Sequence, residues 1–245
     1  ILLKVLKNNI FKDINRNFLK PKFFFFKNIF FQSMPISVSI CGYALAAAII
    51  FTYVGLSGEY AVAGYGAGTR IEQVVLLPIL GINTAIISII AQNYGAKNFN
   101  RIKETYITAI KYAFIIMVIS GIIVFVSAGI ITSIFSNDPE VIEYGKRYLK
   151  ISAFVLPAYP VFFLSNGFFM ALKKSEMAMI SNFFRNVLNP IVVFYIAKYI
   201  DASFSTFFWI WVGINWFFSI SYFLIIIYYF KSRLDKFSTI LNPSP

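Results

Sequence analysis

Six long apolar segments separated by short polar connections dominate this sequence of 245 residues. Each segment reaches about 20 residues, the length at which a helix crosses the hydrocarbon core of a bilayer. Backbone amides in that core must be hydrogen-bonded within the protein, so long continuous apolar runs predict α-helices and not a barrel of alternating strands. The predicted fold is therefore an all-α, polytopic membrane protein with a six-helix bundle. The predicted spans are residues 34–56, 61–93, 107–134, 147–172, 177–199 and 207–229.

The composition supports lipid as the solvent of this chain. Hydrophobic residues make up 59% of the sequence and charged residues only 13%, against about 25% charged residues in an ordinary soluble domain. A net charge of +12 would suggest nucleic acid as a partner of a soluble protein. Here the charges lie mostly between apolar segments, so we expect no nucleic-acid partner and attribute the charge to membrane orientation.

The distribution of positive charge predicts the orientation of the spans. Lysine and arginine collect in the N-terminal segment, in the second and fourth connections and in the tail. The opposite side carries only Lys146, Arg147, Lys150 and Lys198, together with Glu59, Asp138, Glu140, Glu143 and Asp201. Basic connections stay in the cytoplasm, so both termini of this chain are expected there, and the expected location is the cell (cytoplasmic, inner) membrane.

Three regions follow from this reading. Residues 1–28 form a basic amphipathic segment, either a helix lying in the headgroup layer or a linker at the end of an upstream helix. Residues 29–231 form the membrane lobe, and residues 232–245 form a cytoplasmic tail. Because the chain begins at Ile1 and not at Met, it is expected to be a fragment or to lack an upstream part.

Few residues are available for catalysis or metal binding. The chain has no histidine, and Cys41 is its single cysteine. Nucleotide-binding loops, nucleophile elbows and zinc-type spacings are also missing from the sequence. We therefore predict neither enzymatic activity, nor a metal site, nor a cofactor.

The second span carries the strongest functional signal, at Arg70, Glu72 and Gln73. A charge deep in a membrane helix costs about 2.5–3.5 kcal/mol on insertion scales and usually faces a cavity or a partner. Arg70 and Glu72 point in nearly opposite directions, since two residues rotate a helix by about 200°. Glu72 either lines a polar cavity, where it meets a cation, a proton or a cationic substrate, or forms a structural ion pair with Arg185.

The same span shows two structural signals. Gly64 and Gly68, four residues apart, favour close packing of a second helix. Pro78 and Gly81 indicate a bend in a segment that, as a helix, is longer than the bilayer is thick.

A second polar group lies in the fifth span, around Arg185. Asn182, Asn186 and Asn189 share one helical face near it, and Pro190 is expected to perturb the backbone there. Each asparagine alone favours interhelical hydrogen bonding, whereas the stripe as a whole suggests a polar wall. The candidate residues of a substrate or cation cavity are Arg70, Glu72, Gln73, Asn83, Asn166, Arg185, Asn186 and Asn189.

The stretch GYGAGTRIEQVVLLPILGINTAIISIIAQNYGAKNFNR, from Gly64 to Arg101, resembles the eighth helix and following loop of multidrug and toxic-compound extrusion (MATE) transporters. Met34-Pro35 is similar to the start of the family's seventh helix, and Ala171 to Lys174 to the end of its tenth. The resemblance runs from about Lys27 to Lys231, so the chain resembles the C-terminal half of a twelve-helix transporter.

The resemblance implies a secondary exporter of cationic or amphipathic compounds, driven by sodium ions or protons as the coupling ion. Its expected partners are the small-molecule substrate, the lipid bilayer and an N-terminal lobe that this chain lacks. The chain departs from the family pattern in spans 34–56 and 147–172, whose apolar cores hold no acid, so coupling through this half would depend on Glu72. The alternatives are a lipid or glycan-precursor flippase of the same superfamily and a non-transporting membrane fragment.

Overall fold

The computed structural model describes residues 23–230, except the side chains of residues 24, 25, 27–29, 31–33, 35, 36 and 38–40. The predictions for residues 1–22 and for the tail from residue 231 lie outside this part of the chain. Residues 23–230 are helical apart from short connections, and they form no strand. The prediction of an all-α bundle is confirmed.

Eight α-helices make up the six spans of the described chain. They are α1 (Phe23–Gly55), α2 (Glu59–Gly95), α3 (Phe99–Ser133), α4 (Pro139–Ser152), α5 (Tyr159–Ala171), α6 (Ser175–Phe183), α7 (Asn189–Tyr199) and α8 (Phe204–Tyr229). Five spans are long and apolar enough to cross a membrane, and in α1 the apolar part is Cys41–Gly55. The fourth span consists of α4 and α5, and the fifth consists of α6 and α7.

The fourth span occupies the centre of the bundle. In its most apolar window 72% of the residues are buried, against 17–28% in the other four long spans. It packs against α2, α3 and α8, while α1 packs chiefly on the fifth span. The surrounding helices therefore turn large apolar side chains outward, which is the arrangement expected where lipid, not water, surrounds the bundle.

The fourth span is broken, whereas the sequence predicted one continuous helix over residues 147–172. Helix α4 ends at Ser152, a 3₁₀ turn covers Leu156–Ala158, and α5 begins at Tyr159. Pro157 and Pro160 cause the break because neither has an N–H to donate to the carbonyl four residues earlier.

Side chains of α8 satisfy part of the backbone that this break exposes. Trp216 Nε1 donates to the Phe154 carbonyl at 2.9 Å, and Ser219 Oγ donates to the Ala158 carbonyl at 3.2 Å. Irregular backbone at membrane depth is tolerated only where protein or water supplies such partners. The break is thus a supported part of the bundle.

Proline affects the second and fifth spans differently. In the fifth span, residues Phe184–Leu188 form a π-helical turn just before Pro190, which confirms the predicted perturbation there. Helix α2 runs through Pro78 without interruption for 37 residues. At 1.5 Å per residue it is roughly 55 Å long, so it must tilt or protrude from a hydrocarbon core of about 30 Å.

Candidate functional site

The site begins with a stripe of small residues on α2. Gly64, Gly68 and Glu72 follow one another at four-residue steps and therefore share one helical face. At Gly64 a Cβ atom would lie 2.7 Å from the backbone of Val141 and Gly145 in α4, so the two helices are in direct backbone contact. The close-packing interpretation of this stripe is confirmed.

The same close approach brings a tyrosine of α4 to Glu72. The ring of Tyr148 occupies the space where a Gly68 side chain would stand. From there the Tyr148 hydroxyl donates to Glu72 Oε2, and Tyr159, the first residue of α5, donates to Glu72 Oε1 at 2.5 Å. Both carboxylate oxygens are therefore engaged by charge-assisted hydrogen bonds, which offset the cost of placing this charge inside the bundle.

Aromatic rings surround the carboxylate and its two tyrosines. Tyr65 and Tyr148 meet edge to face at 4.9 Å between ring centroids, and Phe208 packs on Tyr148 at 4.8 Å. These rings limit solvent around Glu72, so a charge there interacts strongly with any ion that enters.

Glu72 opens onto a cavity of about 120 Å³ between α1, α2, the fourth and fifth spans and α8. Its polar lining consists of Tyr43, Tyr65, Thr69, Glu72, Gln73, Tyr148, Tyr159, Arg185, Asn186 and Trp211. Glu72 and Arg185 are the charged side chains of this lining. The cavity thus combines one carboxylate, one guanidinium and several neutral hydrogen-bonding groups inside the bundle.

Arg185 lies in the π-helical turn and does not form an ion pair with Glu72. Its guanidinium stacks on Phe162 at 4.1 Å and on Tyr159 at 4.8 Å, and its Nε donates to Asn215 Oδ1 at 3.4 Å. Aromatic faces and an amide oxygen therefore stabilise this cation. Of the two possibilities predicted for Glu72, the ion pair with Arg185 is not formed.

Arg185 also borders a second, mostly apolar cavity of about 250 Å³. This aromatic cavity lies between α5, α6 and α8, and Ser181, Ser221 and Tyr222 provide its few hydroxyl groups. Arg185 is the charged side chain common to both cavities. Its charge is thus available to a ligand with an apolar part and an anionic part.

The structure places the eight predicted site residues in two groups. Glu72, Gln73, Arg185 and Asn186 line the polar cavity. Arg70, Asn83, Asn166 and Asn189 do not belong to its lining.

The members of the second group have separate surroundings. Arg70 is exposed on the outer side of α2, as the helical rotation predicts. Asn166 accepts from the Tyr222 hydroxyl at 3.1 Å and donates to Asn182 at 3.4 Å, which is interhelical hydrogen bonding. Asn83 packs tightly over Gly167. Asn189 is buried, and neither its amide nitrogen nor its amide oxygen has a hydrogen-bond partner among the described residues.

Sequence reasoning missed the two tyrosines that bind Glu72. Tyr148 and Tyr159 lie eleven residues apart, close to three helical turns, so an unbroken helix would also place them on one face. That spacing is a signal, but tyrosines are frequent in this chain. Only the contact with Glu72 separates these two from the others.

Comparison with known proteins gives one matching family model and several similar proteins. The family model MatE matches residues 35–195. The FAD transporter of Shewanella oneidensis is 27% identical over 158 residues, which cover 64% of this chain and 35% of that protein. The multidrug export protein MepA of Staphylococcus haemolyticus is 25% identical over 168 residues, covering 69% of this chain and 37% of that protein.

Solved structures show the same fold. An outward-facing multidrug resistance MATE family transporter of the MOP superfamily superposes with a TM-score of 0.78 at 22% identity, over 92% of this chain and 50% of that chain. A MATE crystal structure in complex with MaL6 gives a TM-score of 0.79 at 20% identity, over 90% and 49%. The chain thus spans about half the length of these transporters. Since the family model matches more than half of its residues, the chain belongs to the MatE family and is a multi-pass membrane protein.

Proposed function

We propose that this chain is the C-terminal lobe of a secondary multidrug exporter in the cell membrane, which expels cationic or amphipathic compounds in exchange for protons or sodium ions. Glu72 is the coupling residue. The observation that carries the proposal is the state of its carboxylate. It lies in a cavity inside the bundle, is held by two tyrosine hydroxyls and forms no ion pair with any basic side chain that the structure describes.

A carboxylate that is held by neutral hydroxyl groups can bind different cations one after another. An ion pair with Arg185 would fix Glu72 as structural, because removing one member of a buried pair is strongly unfavourable. Tyrosine hydroxyls instead stabilise the carboxylate without neutralising it. A proton, a sodium ion or a cationic substrate can therefore compensate the charge in turn, which is the requirement for antiport.

The first experiment replaces Glu72 by Gln in the complete transporter and measures efflux of a cationic dye from cells. We expect dye efflux to fall to the level of cells without the transporter, while the amount of protein in the membrane is unchanged. Glu59→Gln is the matched control, because Glu59 is an exposed carboxylate in the first turn of the same helix. Normal dye efflux by Glu72→Gln would refute the proposed role.

A second candidate function is export of an anionic amphipathic compound. Arg185 supports it, since its guanidinium borders both the polar and the aromatic cavity, and one similar protein is named an FAD transporter. Lipid or glycan-precursor flipping is the anionic alternative within the superfamily. Arg185→Gln separates the candidates: it should impair transport of an anionic fluorophore or a labelled anionic lipid far more than efflux of the cationic dye.

A further inference from the structure

The two tyrosines that bind Glu72 come from opposite sides of the break in the fourth span. Tyr148 lies in the last turns of α4, and Tyr159 is the first residue of α5. They reach different oxygens of the same carboxylate. Glu72 of α2 therefore joins two helical segments that are interrupted between residues 153 and 158.

The backbone hydrogen bonds between α4 and α5 do not form a continuous helix. Across the break, the amides of Phe154, Val155 and Ala158 donate to carbonyls only three residues earlier. Such short turns do not continue the helical hydrogen-bond ladder from α4 to α5. Trp216 and Ser219 of α8 bind single carbonyls of the break. The break thus has the construction of a hinge, and the carboxylate of Glu72 connects the two segments that it separates.

The charge on Glu72 decides how strongly it holds the two tyrosines. A charged carboxylate is an acceptor at both oxygens, so it receives both hydroxyls in charge-assisted hydrogen bonds. A neutral carboxyl group carries a proton on one oxygen, which then donates to the tyrosine oxygen instead of accepting from its hydroxyl. A bound cation likewise occupies oxygen lone pairs. Neutralisation therefore weakens the two contacts and reverses the direction of one of them, because neutral hydrogen bonds are roughly half as strong as charge-assisted ones.

We propose that Glu72 is a latch across the broken fourth span: the charged carboxylate holds α4 and α5 together through Tyr148 and Tyr159, and its neutralisation weakens these bonds so that α5 changes its angle to α4. Tyr148 and Tyr159 are then positioning residues. The inference rests on the proposed coupling role of Glu72 and adds the movement that coupling produces.

The other groups that face the latch come from four elements. Arg185 of the fifth span lines the same cavity and carries the opposite charge. Tyr43 of α1 and Tyr65 of α2 complete the titratable lining, and α8 contributes Phe208 and Trp211 to it. A proton or cation that enters this cavity therefore meets both the carboxylate of Glu72 and the guanidinium of Arg185.

Spin labels on the two segments test the latch in the transporter reconstituted in lipid nanodiscs. Glu140 near the start of α4 and Met170 near the end of α5 are exposed and are replaced by labelled cysteines, with Cys41 changed to Ser. Their separation is at most roughly 45 Å along thirty residues, which suits pulsed distance measurements. Distances are recorded in alkaline and acidic buffer for the wild type, Glu72→Gln, Tyr148→Phe, Tyr159→Phe and Tyr106→Phe.

We expect the wild-type distance to shift with pH by about 2 Å or more, the scale of helix shifts in switching proteins. Glu72→Gln should show the acidic distance at both pH values, and Tyr148→Phe and Tyr159→Phe should lose the shift. Tyr106→Phe is the control, because Tyr106 is also buried but its hydroxyl bonds Ser165 and not Glu72, so this variant should respond as the wild type does.

A wild-type distance that does not change with pH overturns the latch, as does a full response in both Tyr148→Phe and Tyr159→Phe. Dye efflux by the same variants keeps the two proposals apart. Loss of efflux in Glu72→Gln with an unchanged distance refutes the latch and supports the coupling role. If Glu72→Gln has the acidic distance in alkaline buffer but normal efflux, the result supports the latch and refutes the coupling role.

Discussion

At the scale of single residues, two glycines of α2 allow a tyrosine of α4 to reach the carboxylate of Glu72. Gly64 lets α2 touch the backbone of α4, and Gly68 makes room for the ring of Tyr148. That approach brings the tyrosine hydroxyl onto Glu72. Small residues on a membrane helix thus do more than increase packing, because here they also bring hydrogen-bond donors to a half-buried carboxylate.

The backbone contact at Gly64 predicts a sharp difference between two neighbouring glycines. A Cβ at Gly64 would meet the backbone of Val141 and Gly145, which cannot move aside as a flexible side chain can. Gly64→Ala should lower the free energy of unfolding by about 1–3 kcal/mol, the usual cost of overpacking. The measurement is the unfolding midpoint of the purified protein in detergent.

Gly66→Ala is the control for this prediction. No described residue comes within 4 Å of a Cβ at Gly66, and the residue is in the interior of α2. Alanine should therefore stabilise the helix there by about 0.5–1 kcal/mol. Equal effects of the two substitutions would show that the α2–α4 contact is not as close as described.

At the scale of elements, helix ends and interruptions organise the lobe. Asp138 caps α4 by accepting from the amides of Glu140 and Val141, with Pro139 at the first helical position. Pro157 and Pro160 interrupt the fourth span on either side of Tyr159, and Pro190 follows the π-helical turn that carries Arg185. Arg185 thus lies in an irregular turn, and Glu72 binds Tyr159 at the end of the break. Such irregular backbone is common at functional sites of membrane proteins.

Two helix ends carry a lysine where glycine is usual. Lys97 after α2 and Lys173 after α5 have φ angles of 58° and 59°, and the residues that follow them donate back to Asn93 and Phe169. This geometry ends a helix with a left-handed residue, a conformation that strains every side chain with a Cβ. Lys97→Gly should therefore raise the free energy of unfolding by about 0.5–1 kcal/mol.

Ala96→Gly tests whether this gain comes from the left-handed conformation. Ala96 has a φ of −81°, which suits alanine, so glycine should lower the free energy of unfolding at that position. Unfolding in detergent measures both variants under one condition. A loss of stability in Lys97→Gly would contradict the strain assigned to this turn.

At the scale of the whole molecule, the bundle has a central span and a charge difference between its ends. The broken fourth span is enclosed by the other helices, so the cavity that contains Glu72 lies within the lobe. The turns at Lys97 and Lys173 lie at one end, and the acidic turn at Asp138 lies between other spans at the opposite end. Positive charge at one end predicts a single orientation in the membrane.

Labelling from one side of the membrane tests that orientation. In a protein with Cys41 changed to Ser, a cysteine at Lys97 should react with an impermeant maleimide only after the cells are opened. A cysteine at Asp138 should react in intact cells. The physical reason is the retention of basic connections in the cytoplasm. The reverse labelling pattern would place both turns on the wrong sides and refute the predicted orientation.

Much of the fold could be predicted because membrane insertion depends on local sequence. The six apolar runs, the four-residue spacing of Gly64 and Gly68 and the perturbation at Pro190 all depend on residues close together in the chain. The break in the fourth span was less visible, since Pro157 and Pro160 sit in an otherwise apolar run. Its support comes from Trp216 and Ser219, about sixty residues further on.

The sequence by itself determined the solvent, the number of spans and the presence of Arg70, Glu72 and Arg185 within them, because hydropathy and charge are properties of each segment alone. The tertiary structure decided the partners of those residues. It gave Glu72 two tyrosines instead of Arg185, and gave Arg185 aromatic rings and Asn215. Such pairings depend on helix rotation and separation to within an ångström, which the packing of the whole bundle sets and no single segment contains.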